Sequence, residues 1–137
     1  GGMLIECMAD SHNSNVPRSP FRIWQAFRWS MQGLRATWQV ESSFRLEVYL
    51  FVILAPLGLL LGQGGVEKFL LVSVLLLVLV VEVLNSAIEA VADGWGSTHH
   101  DMAGRAKDMG SAAVFLADVN AVVCWLLILW PVIDKDS

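Results

Sequence analysis

The sequence predicts an all-α membrane protein, with three transmembrane helices and an N-terminal amphipathic surface helix. Its mean hydropathy is +0.58, and 55% of its 137 residues are hydrophobic against 16% charged. This composition is too apolar for a soluble domain of this length. Three apolar segments are each long enough to cross a bilayer about 30 Å thick. We therefore expect a single integral-membrane domain at about 19–134.

The N-terminal part of the chain predicts a disordered tail followed by a helix that lies on the membrane surface. Residues 1–18 are polar and lack periodicity, so we expect them to be disordered. Ser19 and Pro20 resemble an N-cap and a first helical position, which predicts a surface helix over about 19–39.

This surface helix has one apolar face about 80° wide, which Arg28 and Arg35 flank. The residues on that face are Trp24, Phe27, Met31, Leu34 and Trp38. Aromatic side chains beside arginines suit a helix lying on the cytoplasmic leaflet. The alternative is an amphipathic helix that packs on the membrane bundle for structural reasons only.

The first apolar segment, from Leu46 to Gly62, predicts a transmembrane helix over about 42–62. Pro56 should kink this helix unless neighbouring groups satisfy the carbonyl of Val52. The short segment Gly62-Gln-Gly-Gly65 then predicts a tight turn into an antiparallel neighbour.

The second segment, from Val66 to Ala92, predicts a helix over about 66–96 and ends in acidic residues. Four polar residues fall within about 80° of one another on this helix. This polar stripe consists of Glu82, Asn85, Glu89 and Asp93. A carboxylate at membrane depth costs about 2.5 to 3.5 kcal/mol. Because no Lys or Arg follows Lys68 in this segment, the stripe needs a cation, a proton or a neighbouring helix.

The third segment, from Gly110 to Ile133, predicts a helix over about 105–133. Before it lies Gly104-Arg-Ala-Lys107-Asp108-Met-Gly-Ser111, which places two cations and an acid at a helix start. A helix N-terminus with nearby cations suits phosphate oxygens, although a cytoplasmic basic flank is the simpler interpretation. Beside carboxylates that can hold a divalent cation, such a lysine favours phosphoryl transfer.

Five of the nine Lys and Arg residues precede the first apolar segment, which places the N-terminus in the cytoplasm and the C-terminus outside. The sequence has no GxxxxGK[ST] loop, no strand-bound GxGxxG and no protein-kinase motif. It also has no basic tract that would favour nucleic acid. His99 and His100 are adjacent without further spaced ligands, so they are weak evidence for metal.

The polar stripe, read as Glu82-x-x-Asn-Ser-Ala-Ile-Glu-Ala-x-x-Asp93, and the segment Gly104-Arg-Ala-Lys-Asp-Met-Gly-Ser-Ala-Ala-Val114 resemble the prokaryotic diacylglycerol kinase family. The resemblance extends through Gly33-Leu-Arg-Ala-x-Trp38 and Glu41-x-x-Phe-Arg-x-Glu47, and it covers about Phe21 to Trp130. It implies a homotrimeric kinase of the bacterial inner membrane, which uses ATP with Mg²⁺ to phosphorylate diacylglycerol.

The resemblance also implies roles for individual residues. Glu82 would be the general base, Glu41 and Glu89 would hold the metal, and Asn85 would support the site. The residues expected at the nucleotide are Arg22, Trp29, Glu41, Glu89, Thr98, His99, His100, Lys107 and Asp108. The residues expected at the lipid are Arg35, Trp38, Glu47, Asn85 and Ser111.

The chain departs from the family pattern at Gln25, where lysine is expected, at Thr98, where an acid is expected, and at Asp118, where an apolar residue is usual. Two other functions stay open. An undecaprenol kinase would use the same membrane-embedded base, and a non-enzymatic ion-coupled membrane protein would use the acids as a proton or cation path.

Overall fold

The computed structural model describes residues 20–94 and 100–135, without the side chains of His100, Val132 and Lys135. The expected disordered tail, 1–18, lies outside these residues. The described chain forms helices only: α1 (Pro20–Val40), α2 (Ser42–Leu61), α3 (Gly64–Gly94) and α4 (His100–Lys135). Three segments are long and apolar enough to cross a membrane: Ser42–Leu61, Gly64–Gly94 and Asp101–Pro131. The predicted all-α class with three membrane helices is confirmed.

Helix α1 begins at Pro20, a position where the missing N–H of proline costs no helical hydrogen bond. The described chain divides between Ala36 and Thr37 into two compact units. Within the first unit, the rings of Trp24 and Phe27 stack with their centroids 5.9 Å apart. Both side chains are exposed, as the apolar face of a membrane-surface helix requires.

Glu41 separates α1 from α2 with an extended backbone, at φ −108° and ψ 111°. Its N–H still donates to the carbonyl oxygen of Thr37 at 2.8 Å, so the interruption between the two helices is a single residue. The Glu41 side chain makes no capping hydrogen bond to α2. Its carboxyl group is therefore available to a group on another helix.

The turn between α2 and α3 has the tight geometry that its glycines predict. The Gly62 N–H donates to the Gly58 carbonyl at 2.9 Å, and Gly64 has a φ of 87°, which side chains rarely tolerate. The Gln63 N–H donates to the Glu67 carboxylate at 3.0 Å, which satisfies a donor at the start of α3. Helix α2 itself continues through Pro56.

The core of the three membrane helices lies between α3 and α4, where small residues allow close approach. Val74 and Val78 of α3 pack against Ala117 and Ala121 of α4, so two alanines about one turn apart serve contact within the chain. Helix α4 begins at His100, about five residues before the expected start, because hydropathy does not detect its polar first turn. Asp101 in that turn is favourable to the helix dipole.

A second contact connects all three membrane helices. The Trp125 indole N–H donates to the carbonyl oxygen of Leu71 at 3.0 Å, and Leu71 is fully buried. A Cβ at Gly58 would lie 3.1 Å from the Leu71 Cβ and 3.4 Å from the Trp125 ring. Gly58 is therefore the point at which α2 approaches both α3 and α4.

This close approach predicts that Gly58→Val destabilises the protein, because its methyl groups have no free volume beside Leu71. We expect a loss of about 1 to 3 kcal/mol in the free energy of unfolding. Thermal unfolding in detergent micelles measures it. The matched control is Gly65→Val, since a Cβ at Gly65 meets no atom within 4 Å. Equal stability of the two variants would contradict the packing described.

Candidate active site

The polar stripe of α3 runs from buried to exposed. Glu82 is 4% exposed and Asn85 is 8% exposed, Glu89 is half-buried, and Asp93 is exposed. The backbone carbonyl of Glu82 accepts a hydrogen bond from the Ser86 hydroxyl at 3.0 Å. The stripe therefore leads from the interior of the helices toward the water-exposed end of α3.

Asn85 connects the stripe to α4. Its side-chain N–H donates to the Glu89 carboxylate at 3.2 Å. Its Oδ1 atom is buried and accepts no hydrogen bond within the described chain, although buried polar atoms normally have partners. A Cβ at Gly110 would overlap this oxygen, so only glycine lets α4 approach Asn85 this closely. Asn85 thus holds Glu89 and presents one unused acceptor.

Glu41, at the junction before α2, and Glu89 of α3 come together and share a side-chain hydrogen bond. That hydrogen bond, partial burial and repulsion by Glu89 together raise the pKa of Glu41 above its ordinary value of 4.5. Two carboxyl groups this close share a proton, unless a cation lies between them. Oxygen ligands of this kind suit Mg²⁺.

The described chain contains no group of three or more His, Cys, Asp or Glu residues that would hold a metal ion. Mg²⁺ usually binds through one or two carboxylates together with substrate phosphates, rather than in a cage made by the protein alone. The pair of Glu41 and Glu89, with the free oxygen of Asn85 beside it, fits that mode.

A cavity of about 390 Å³ lies among α2, α3 and α4. Glu47 and Asp118 are its acidic lining residues, and its other walls are apolar. Both carboxyl groups are close enough to interact electrostatically with Glu82. Asp118, the departure that the sequence left unexplained, is thus placed beside an acid of α2 at a cavity wall. The cavity can hold a hydrocarbon chain with its polar end toward these acids.

At the other end of the stripe, Asp93 forms an ion pair with Lys107 of α4. The Lys107 Nζ lies 2.9 Å from the Asp93 Oδ1. The Lys107 side chain is 44% exposed and that of Asp93 is 66% exposed. A cation is therefore placed at the water-exposed end of the acidic stripe.

The remaining predicted site residues fall into three groups. Trp38 packs edge-on against Tyr49 with ring centroids 5.6 Å apart, and Asp108 and Ser111 are exposed on α4. Arg22, Trp29 and Arg35 lie on α1, in the other compact unit. Thr98, His99 and the side chain of His100 lie outside the described residues.

A family model described as prokaryotic diacylglycerol kinase matches residues 28–129. The chain belongs to this family. The diacylglycerol kinase of Escherichia coli strain K12 is 46% identical over 109 residues, which cover 80% of this chain and 89% of that protein. The diacylglycerol kinase of Haemophilus influenzae is 44% identical over 75% of this chain and 83% of its own. The diacylglycerol kinase of Helicobacter pylori strain 26695 is 36% identical over 76% of this chain and 81% of its own.

The match to the prokaryotic diacylglycerol kinase family includes every carboxyl group of the stripe, together with Glu41 and Lys107. Sequence reasoning did not assign a role to Gly110 or a partner to Asp93. A glycine inside a helix costs up to about 1 kcal/mol of helix stability relative to alanine. A glycine at position 110, inside a predicted helix, was therefore the sequence signal for close packing against a neighbouring helix. The pairing of Asp93 needed the structure, because Lys107 lies on another helix.

The contact of Gly110 with Asn85 predicts the outcome of Gly110→Ala. The new methyl group would displace the Asn85 side chain and break its hydrogen bond to Glu89, so we expect a loss of about 1 to 3 kcal/mol in unfolding free energy. Denaturant unfolding in micelles measures it.

The same methyl group should become nearly harmless in the Asn85→Ala background, because the overlapping atom is then absent. Gly104→Ala is the matched control on α4, since a Cβ there meets no atom within 4 Å. If Gly110→Ala costs the same in both backgrounds, Asn85 is not what requires the glycine.

The raised pKa of Glu41 predicts a pH-dependent stability in metal-free solution. The folded protein holds this proton more tightly than the unfolded chain. The resulting stabilisation is complete below the unfolded pKa and is lost as the pH rises through the raised folded pKa. Relative to Glu41→Gln, the wild type should therefore lose stability as the pH increases.

Thermal unfolding with a chelator, at a series of pH values, measures this difference. A difference between wild type and Glu41→Gln that does not vary with pH would contradict the shared proton.

Proposed function

We propose that this protein is an ATP-dependent lipid kinase that phosphorylates diacylglycerol to phosphatidic acid at the cytoplasmic face of the bacterial inner membrane. Membership of the prokaryotic diacylglycerol kinase family and the names of its relatives support the reaction. The observation that best supports the location of the reaction is the buried Glu82. It interacts electrostatically both with the acids that line the apolar cavity and with the paired carboxyls of Glu41 and Glu89.

In the proposed reaction, Glu82 accepts the proton of the primary hydroxyl of diacylglycerol. The hydroxyl oxygen forms a bond to the γ-phosphorus of ATP, and the bond from that phosphorus to the bridging oxygen breaks, so that ADP leaves. Phosphoryl transfer depends mainly on positioning and charge stabilisation. The described helices serve positioning by fixing Glu82 through burial and Glu89 through Asn85.

Glu41 and Glu89 are the proposed ligands of Mg²⁺. When bound, Mg²⁺ would neutralise charge on the phosphate oxygens. Asn85 keeps the Glu89 carboxylate in place with its hydrogen bond. Lys107 and Asp108 are the proposed contacts of the nucleotide on α4, together with the predicted residues Arg22, Trp29, Thr98, His99 and His100.

The cavity lined by Glu47 and Asp118 is the proposed place for a hydrocarbon chain of the lipid. An apolar wall favours the chain, and a carboxyl group at the rim favours the polar glycerol end. The other proposed lipid contacts are Arg35, Trp38, Asn85 and Ser111.

The proposed assembly is a homotrimer with the N-terminus in the cytoplasm and the C-terminus in the periplasm. The basic residues before the first span support the orientation. Many large apolar side chains are exposed along the membrane helices, and lipid or neighbouring copies would cover them. The protein mass in a detergent micelle, corrected for bound detergent, tests the number of copies.

Glu82→Gln tests the proposed base. The variant keeps the shape of the side chain but cannot accept the proton, so we expect lipid-dependent ATP turnover to fall about 10² to 10⁴-fold. Binding of a non-hydrolysable ATP analogue should change little. The matched control is Glu67→Gln on the same helix, about 22 Å away, which should retain activity.

The assay is run on purified protein with diacylglycerol and, separately, with undecaprenol. If Glu82→Gln retains full lipid phosphorylation, Glu82 is not the base. If the wild type phosphorylates only undecaprenol, the acceptor is wrong, and if neither lipid drives ATP consumption, the kinase proposal fails.

A further inference from the structure

We propose, building on the proposed kinase function, that Asp93 is a positioning residue: it holds the Lys107 ammonium group where the nucleotide phosphates bind. Neither the polar-stripe motif nor the family resemblance assigns Asp93 a role. Its carboxylate is exposed and forms an ion pair with Lys107 of α4.

The geometry connects two helices at the water-exposed end of the site. Asp93 lies in the last turn of α3, and Lys107, 14 residues later, lies two turns into α4. Their charged atoms are 2.9 Å apart. Lys107 is also close enough to Glu89 for their charges to attract. The ammonium group is therefore held within electrostatic range of a proposed metal ligand.

The ion pair leaves Lys107 able to bind a ligand. A lysine ammonium has three N–H donors, and Asp93 accepts from one of them. The other donors can reach phosphate oxygens, because both side chains of the pair are open to water. Phosphate can thus bind while Asp93 still holds the lysine.

Positioning matters for this residue because the lysine side chain is long and flexible. Without Asp93, Lys107 would sample many rotamers and would have to be ordered when the nucleotide binds. Removing the Asp93 charge would also reduce its repulsion of the nucleotide phosphates, which acts against the loss of affinity, so a measured loss reports on the position of Lys107. An exposed ion pair contributes little to folding stability, so its loss should be detected in binding.

The test is Asp93→Asn in purified, membrane-reconstituted protein at about 0.15 M salt. We expect the Kd of a non-hydrolysable MgATP analogue and the KM for MgATP to rise about 5 to 20-fold, with a much smaller change in kcat. The Tm should stay within about 2 °C of wild type. Asp93→Glu keeps the charge and should restore most of the affinity.

Glu67→Gln is the matched control, since it removes one negative charge at the other end of α3, about 39 Å from Asp93 along the helix. It should leave the Kd of the analogue within about twofold of wild type. In the Lys107→Met background, Asp93→Asn should add no further loss of affinity, because Asp93 acts through Lys107.

The role of Asp93 is wrong if Asp93→Asn binds the analogue as tightly as wild type, if it lowers the Tm alone, or if its effect adds fully to that of Lys107→Met. The binding measurement is independent of catalysis. A wild type that binds the nucleotide in a manner sensitive to Asp93, yet phosphorylates no lipid, would refute the proposed function while supporting the role of Asp93.

Discussion

Glu82 lies on a membrane-crossing helix and is only 4% exposed, so the neighbouring helices must surround it. Each acid at membrane depth costs about 2.5 to 3.5 kcal/mol, and here Glu47, Asp118 and Glu82 interact electrostatically across three helices. Close packing elsewhere offsets this cost. The alanines of α4 and the Gly58 contact with Leu71 bring the helices near enough to enclose the acids.

The polar stripe of α3 also connects a buried cavity with the exposed end of the helix. Its buried end adjoins the cavity that a hydrocarbon chain can enter, and its exposed end carries the Asp93–Lys107 ion pair. Between these ends lie the paired carboxyls of Glu41 and Glu89, with Asn85 beside them. A lipid acceptor arriving from the bilayer and a nucleotide arriving from water would therefore meet at the centre of the stripe.

The sequence was sufficient to predict the helical class and the common face of the stripe, because hydropathy and the helical period are local properties. It also identified Pro20 as a helix start and the glycine turn after α2. It could not predict that Glu41 meets Glu89, or that Asp93 meets Lys107, since those contacts depend on how helices pack. Asp118 illustrates the same limit, because the sequence shows it only as an isolated acid. The structure places it in the wall of a cavity whose lining residues include the acid Glu47 and no basic residue.

In the proposed mechanism, Glu41 and Glu89 form a divalent-cation site that a bound nucleotide completes. Electron paramagnetic resonance of Mn²⁺, used in place of Mg²⁺, measures this directly in purified protein with and without a non-hydrolysable ATP analogue. We expect one Mn²⁺ per chain to bind much more tightly with the analogue present, and this binding to be lost in Glu41→Gln and in Glu89→Gln. Tight Mn²⁺ binding that is unchanged in both variants would show that Glu41 and Glu89 do not hold the cation.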